Sequence, residues 1–577
     1  MKINKKSITI TVLTLCVALI MPLSCKKNFL TTTDTTAATA TSAFTKSQDV
    51  VALVNSIYNT YQSSDLLKKS IWYYANYETH DFFNNGSDIV WNYYGIGANF
   101  YALPTFWNNA YVGIGKANNA LGIIATAKAQ GVVTPALGDR LLGEAYFLRG
   151  LTYYYLAGTF GGVPIELKPI TNGLTPRSSQ SDVFKQVVSD MQQAEKLLVS
   201  KTQLTSGDLG RATTGAAYGY EGAAQMWLGN YTAALTAFNN PELTNNYSLL
   251  PSYMSVGEYS NQNNAESLFE IQFMITGNQS WSDGWQDGGE EGWIDDFDWP
   301  QEISGFGYDY ANPGLWYSYQ AGDLRKQATI LGPGDQNVSP DIIAKWGGIK
   351  GYAVVQANYK SNPTVYSDGS GNPINTNGTI AHPWYGTDGT PRSGYYDAKK
   401  WRDPTLTGSN GTGAIFGGQN QTLLRYGEIL LDRAECKIRT GDITGGLADL
   451  QLVRNRAWGG TAPAVMQDGL TWDGNPTQPI TDPLQMVLSE YRHELSAEYS
   501  VFYDLRRAGP GVAATFIQNA YGTVANSTNQ IVYPYGPTAD GKTHGVWNTS
   551  LPANKDLLPI PSAAIGLNPN LTQNPGY

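Results

Sequence analysis

Two stretches of this chain concentrate aromatic rings beside carboxylates and amides, types that can cover an apolar face and bind hydroxyls. Residues 281–299, WSDGWQDGGEEGWIDDFDW, set Trp281, Trp285, Trp293 and Trp299 among seven acidic residues. Residues 72–111 hold fourteen aromatics, including Trp72, Trp91, Tyr93, Tyr94, Tyr101 and Trp107. A sugar ring has an apolar C–H face that an indole or phenol can cover, and a rim of hydroxyls that carboxylates and amides can bind. Covering roughly 80–100 Å² of that face is worth about 2 kcal/mol. Micromolar binding, about 8 kcal/mol, therefore needs several platforms plus hydrogen bonds. Carboxylates are rarely buried unpaired, so Trp281, Trp285 and Trp293 are expected on a ligand surface rather than packed together in a loop with an acidic rim. Trp91, Tyr93 and Tyr94 follow the turn-rich NNGSD (84–88) and are expected to join that surface, with core packing as the alternative. Trp107 opens a helical pattern and is assigned to the core.

Other patterns carry less. The acids of 281–299 suit Ca²⁺, an oxygen-seeking ion, but no ligand spacing singles out a site. No cofactor is assigned, and a structural calcium stays open. GPTADGKT (536–543) matches a phosphate-binding loop in letters only. Pro537 lacks an N–H, Asp540 repels phosphate, and HGVWNTSLP cannot open the helix that the chemistry requires. Asp368, Ser370 and Asn372 imitate the start of a calcium loop, yet Pro373 and Thr379 stand where Gly and Glu are needed. The four histidines, His80, His382, His493 and His544, are scattered, and no HExxH or paired-Cys spacing points to zinc. No GxSxG marks a serine hydrolase, whereas a glycosidase needs only two converging carboxylates and stays open. Glu490, Glu494 and Glu498 recur at four-residue steps with Arg492, Arg506 and Arg507 nearby. Like charges at that spacing repel unless cations lie between them, which predicts an inter-helix ion network, not catalytic carboxylates.

The elements that hold these residues follow from composition and periodicity. The chain has 577 residues, 42% hydrophobic and 15% charged, with a formal charge of -10. It is too apolar to be disordered and too acidic to favour a nucleic-acid backbone. Lys2, Lys5 and Lys6 precede an apolar run to Leu23, and MPLSC resembles a bacterial lipobox despite Pro22. Residues 1–24 are expected to be a signal peptide, with Cys25 lipid-modified and 25–45 a tether. Cys436 is then the one thiol left without lipid, read as a small buried hydrophobe.

Helical periodicity runs over 107–127, 141–157 and 213–238, the last broken at Gly229-Asn230. Ser179 and Asp182 have capping-box spacing before another apolar stripe. A second block covers 423–457, with a turn at Gly441-Asp442, and a long helix is expected from about Pro483 to Arg507. Ala-rich hairpins of this kind resemble degenerate tetratricopeptide repeats. Between the blocks, Gly, Asn, Asp, Pro and Ser dominate, and pieces such as SLFEIQFMI (267–275) read as short strands. The expected architecture is mainly α: a tetratricopeptide-like scaffold (46–250 and 421–577) with a large loop-rich insert carrying short strands (251–420).

Several strings, in order, carry a resemblance: WNNAYVGIGKANN (107–119), GEAYFLRGLTYYYLAGTFGGVP (143–164), GRATTGAA (210–217), LRYGEILLDRAE (424–435), EYRHELSAEYSVFYDLRRAG (490–509) and the C-terminal LLPIPSAAIGLNPNLTQNPGY. With the lipobox, they resemble the SusD/RagB family of outer-membrane nutrient-binding lipoproteins. The resemblance implies a helical, non-catalytic protein at the cell surface that captures oligosaccharides, or in some members peptides. It also implies a partner, a SusC-like TonB-dependent transporter. It places the chain just before the WNNAY helix at the ligand surface, and leaves ligand contacts to variable loops. An exported glycoside hydrolase and a pure interaction scaffold are the competing functions.

Overall fold

The computed structural model of the chain describes residues 44–274 (without 64, 85–86 and 170–171), 293–294, 309–346 (without 332–336), 396–399, 402–404, 416–469, 476–521, 530–531, 547–548 and 551–577 (without 553–554). Among the described residues its main helices are α1 (Ser47–Tyr61), α2 (Ala102–Ala129), α3 (Pro135–Phe160), α4 (Gln180–Leu197), α5 (Thr214–Trp227), α6 (Tyr231–Phe238), α7 (Tyr426–Arg439), α8 (Ile443–Ala457), α9 (Pro483–Leu495), α10 (Val501–Arg507) and α11 (Val512–Tyr521). Each of α1 to α7 packs on the next in order, and α8 and α9 both pack on α7. This is the mainly helical, repeat-like scaffold expected.

Local chemistry sets the helix ends. Thr134, Ser179, Thr213, Asp442 and Asp482 each accept a backbone N–H of the first turn that follows, and Pro135 and Pro483 occupy first positions where no N–H is required. Gly229 and Gly441 turn the chain between α5 and α6 and between α7 and α8 at φ of 73° and 96°, where a Cβ is disfavoured. The stripe Val183, Val187, Met191 and Ala194 is buried on one face of α4, while nearly all of α3 from Ala145 onward is buried. Small residues allow close approach. A Cβ on Gly222 of α5 would lie 2.3 Å from the Phe238 ring of α6. Gly222→Ala is therefore expected to cost about 1–3 kcal/mol through overpacking, read as a lower urea midpoint at unchanged slope.

The strands are short antiparallel pairs that tie distant segments together. β2 (Ser267–Ile271) pairs with β8 (Gln421–Arg425), and β1 (Phe82–Asn84) pairs with β4 (Asp309–Ala311). β3 (Trp293–Ile294) pairs with β7 (Phe416–Gly417), and β5 (Ile330–Leu331) with β6 (Tyr396–Asp397). Among the described residues, no helix is long and apolar enough to cross a membrane. Cys436 is buried, and burial raises its thiol pKa.

The long helix expected over 483–507 is two helices. Ala497 stands at φ 66° between them, so Glu498 lies beyond α9 rather than on its face. Side chains from the segment after α1 compensate the break: Trp72 Nε1 donates to the Ala497 carbonyl at 3.0 Å, and Asn76 Oδ1 accepts from the Ala497 N–H at 3.0 Å. The break delivers Glu498 to Arg425 (2.7 Å) and Lys399 (2.6 Å).

The expected ion network surrounds α9 and is buried. Arg325 meets Glu490 at 2.5 Å and Glu494 at 3.0 Å, and Arg425 meets Glu494 at 2.5 Å and Glu266 at 2.7 Å. Arg456 bridges Glu266 (2.8 Å) and Glu494. Burial alone would raise the Glu494 pKa, but Arg456, Arg425 and Arg325 hold it far below the usual carboxylate range.

A second cluster has too few cations. Arg507 lies 2.5 Å from Asp432, 3.1 Å from Asp504 and 3.6 Å from Glu435, with buried Glu428 alongside. Burial, opposed by Arg507 and reinforced by Asp432 and Glu435, pushes Asp504 up to about 8. The folded chain thus binds this proton more tightly than the unfolded chain, whose Asp titrates near 3.9. The Asp504 contribution is therefore full below about pH 4 and declines as pH rises toward about 8. Asp504→Asn, which cannot ionise, is expected to lose less thermal stability than the parent between pH 5 and pH 8.

Candidate functional site

The pairing of β1 with β4 ties the aromatic-rich 72–111 stretch to the segment that begins ten residues after the acidic tryptophan stretch in sequence. Asp309 on β4 fixes the junction. It is fully buried and accepts from Tyr77 Oη and from Asn84 Nδ2 (2.6 Å), and its second oxygen lies 3.0 Å from Lys68 Nζ.

Beside this junction stands Tyr101, 48% exposed, just ahead of α2. Its hydroxyl donates to Asp88, its ring lies 5.3 Å from Lys69 Nζ, and Lys69 is 3.8 Å from Asp65. Burial raises the Asp88 pKa, offset in part by the Tyr101 bond and Lys69. Burial lowers the Lys69 pKa, offset in part by Asp65 and Asp88. The corner therefore offers a half-exposed aromatic ring beside a carboxylate and an ammonium. Such a surface can stack on one face of a ring while hydrogen-bonding groups at its edge.

The sequence-predicted residues fare unevenly. Trp91 is wholly buried, packed against Tyr73, Tyr74 and Phe100 at centroid distances of 6.3, 6.5 and 5.8 Å. Tyr94 is 4% exposed, stacked on His80, with its hydroxyl donating to the Glu78 carbonyl at 3.1 Å. Neither can serve as a stacking platform. The 3-10 turn Ser87–Tyr93 folds the chain back after NNGSD and drives the indole into an aromatic floor. Tyr93 ends that turn, and Trp293 pairs through its backbone with Gly417. Trp281, Trp285 and Cys25 lie outside the described residues, as do 368–379 and 536–543. Trp107 is in the core, as expected. Among the described residues, no group of three or more His, Cys, Asp or Glu is placed to hold a metal ion.

Sequence reasoning passed over Tyr101, Asp88, Lys69 and Asp309 as site residues. FFN and DYA are too short to announce a strand pair across more than two hundred residues. Only that pairing marks which aromatic of the 72–111 stretch lies at the junction.

Comparison with known proteins agrees with this architecture. A "SusD-like protein" of Bacteroides ovatus is 27% identical over 196 residues, taking in 30% of this chain and 34% of the relative. The chain thus matches about a third of that relative's length. "SusD-like protein P2" of Formosa agariphila is 24% identical over 514 residues, 82% of this chain and 81% of the relative. Among solved structures, a SusD-like protein from Bacteroides fragilis covers 93% of this chain and 98% of its own, at 21% identity and a TM-score of 0.64. Surface glycan-binding protein A from Bacteroides thetaiotaomicron, solved with laminarihexaose, covers 92% and 100% at 19% identity, also with a TM-score of 0.64. A family model described as "Starch-binding associating with outer membrane" matches residues 28–228. The model of the SusD family matches residues 256–577, more than half of the chain, and the chain belongs to that family.

Proposed function

We propose that this protein captures an oligosaccharide at the cell surface and passes it, without cleaving it, to a SusC-like TonB-dependent transporter in the outer membrane. The observation that carries this reading is the half-exposed Tyr101 beside Asp88 near the β1–β4 junction, ten residues in sequence from the acidic tryptophan stretch. Trp281, Trp285, Trp293 and Tyr93 are the further platforms. Family membership supports the reading, as do the glycan-binding relative solved with laminarihexaose and the outer-membrane association in the description of the second matching family model. Cys25 is the proposed lipid attachment, which leaves the folded body on a short tether at the membrane surface.

Tyr101→Ala tests the placement. Losing one ring face, about 2 kcal/mol, is expected to weaken the bound glycan more than tenfold in calorimetry with the fold intact. Unchanged affinity would remove the corner from the site. A peptide bound in place of any glycan would reassign the ligand class. Purification of the lipidated protein from detergent-solubilised membrane is expected to bring the transporter with it.

A further inference from the structure

A second concavity, sharing no lining residue with the β1–β4 corner, lies between α1, the turn at 207–211 and the end of β2, and encloses about 540 Å³. That volume falls within the roughly 300–1,000 Å³ typical of small-molecule sites.

One wall is made of amides already held in position. Asn59 Nδ2 donates to Gln62 Oε1 at 3.0 Å, and Gln62 Nε2 donates to the Gln272 carbonyl at 2.9 Å. Asn55, one turn earlier on α1, accepts from Arg211 at 2.9 Å through Oδ1. An amide carries two N–H donors and two acceptor lone pairs, so Asn55 and Gln62 each retain capacity for a ligand.

The single cation in the lining, among the described residues, is neutralised. Arg211 meets Glu144 at 2.7 Å and Asp208 at 3.2 Å, which leaves no charge to draw in an anion. Glu270 accepts from the Asn263 N–H and from Asn420 Nδ2, both at 2.9 Å. Apolar lips complete the cleft. Leu209 is 48% and Met274 55% exposed, and both line the cleft. Paired charges, fixed amides and two apolar lips match a ligand that is neutral, rich in hydroxyls and apolar on its ring faces.

We infer that this cleft is a second carbohydrate subsite, taking the end of a short neutral oligosaccharide independently of the Tyr101 corner. The inference rests on the carbohydrate reading proposed above. Two separate contacts on one molecule also raise retention of a long chain through effective concentration.

Hydrogen–deuterium exchange of the full chain tests it, with a mixture of short neutral gluco-, xylo- and manno-oligosaccharides as probe. The expected result is slowed exchange in peptides covering α1 and 207–211, as well as in those covering 84–101. Ala52→Trp fills the cleft from an exposed position on α1 and is expected to abolish the first protection while sparing the second. Asn55→Ala, a milder change, is expected to weaken it several-fold. Protection at 84–101 alone would overturn the second subsite and leave the proposed function standing. Protection of α1 by a peptide mixture but by no oligosaccharide would overturn the assigned ligand class. Protection at neither place would overturn both.

Discussion

Glu494→Ala is expected to destabilise the fold by about 3–5 kcal/mol, the cost of stranding buried charges without their partner. Three guanidiniums, from Arg325, Arg425 and Arg456, converge on this carboxylate, all at 4% side-chain exposure or less. Removing it leaves Arg456 with Glu266 alone, which Arg425 shares while keeping Glu498, and leaves Arg325 to rely on Asp323 and Glu490. Against a typical stability of 5–15 kcal/mol, that is a large fraction of the whole. The network also joins α9 to α8, to β8 and to Arg325 of the loop-rich region, so the loss should be global rather than confined to one helix end. Urea unfolding followed by circular dichroism reads it directly. Glu494→Gln, which keeps the shape and removes the charge, is expected to lose nearly as much. Recovery of most of the stability by Gln would show that packing, not charge, holds this centre together.

The other large effect concerns binding. Replacing Trp281 and Trp285 together by Ala is expected to lower glycan affinity by about 4 kcal/mol, two ring faces at about 2 kcal/mol each. That is roughly a thousandfold in dissociation constant. In sequence the stretch that carries them ends ten residues before β4, and Tyr101 stands exposed beside the β1–β4 pair. The double variant should unfold at the parent's urea midpoint, because the acidic, Gly-rich surroundings of these residues argue against a core role. Unchanged affinity with an intact fold would remove both tryptophans from the ligand surface.

Much of the scaffold could be read from the chain because its signals are local. Ser179 ahead of an apolar stripe, Gly229 and Gly441 at hairpin turns, and alanines at close contacts each act within a few residues. The need for an ion network is legible in Glu490 and Glu494 one turn apart, but its cations are not: Arg325, Arg425 and Arg456 come from distant segments, while nearby Arg492 and Arg507 pair with Asp81 and Asp432. What was not legible depends on distant partners. The break at Ala497 is stabilised by Trp72 and Asn76, more than four hundred residues earlier in sequence. Trp91 and Tyr94 were expected outside because a turn-rich pentapeptide precedes them, yet the aromatic floor of Tyr73, Tyr74 and Phe100 draws Trp91 inward. Composition showed that the 72–111 stretch is aromatic. Only the tertiary packing around β1 and β4 separates Tyr101, exposed at the junction, from Trp72, Tyr74 and Trp91, which are buried.

The central claim is that this helical scaffold binds a sugar chain and leaves it whole. Titrating the mature protein into a panel of polysaccharides and oligosaccharides by calorimetry, with reducing ends assayed in the same samples, tests it most directly. The account predicts saturable heat with at least one glycan and no rise in reducing ends over prolonged incubation. New reducing ends, or no heat with any glycan in the panel, would contradict it.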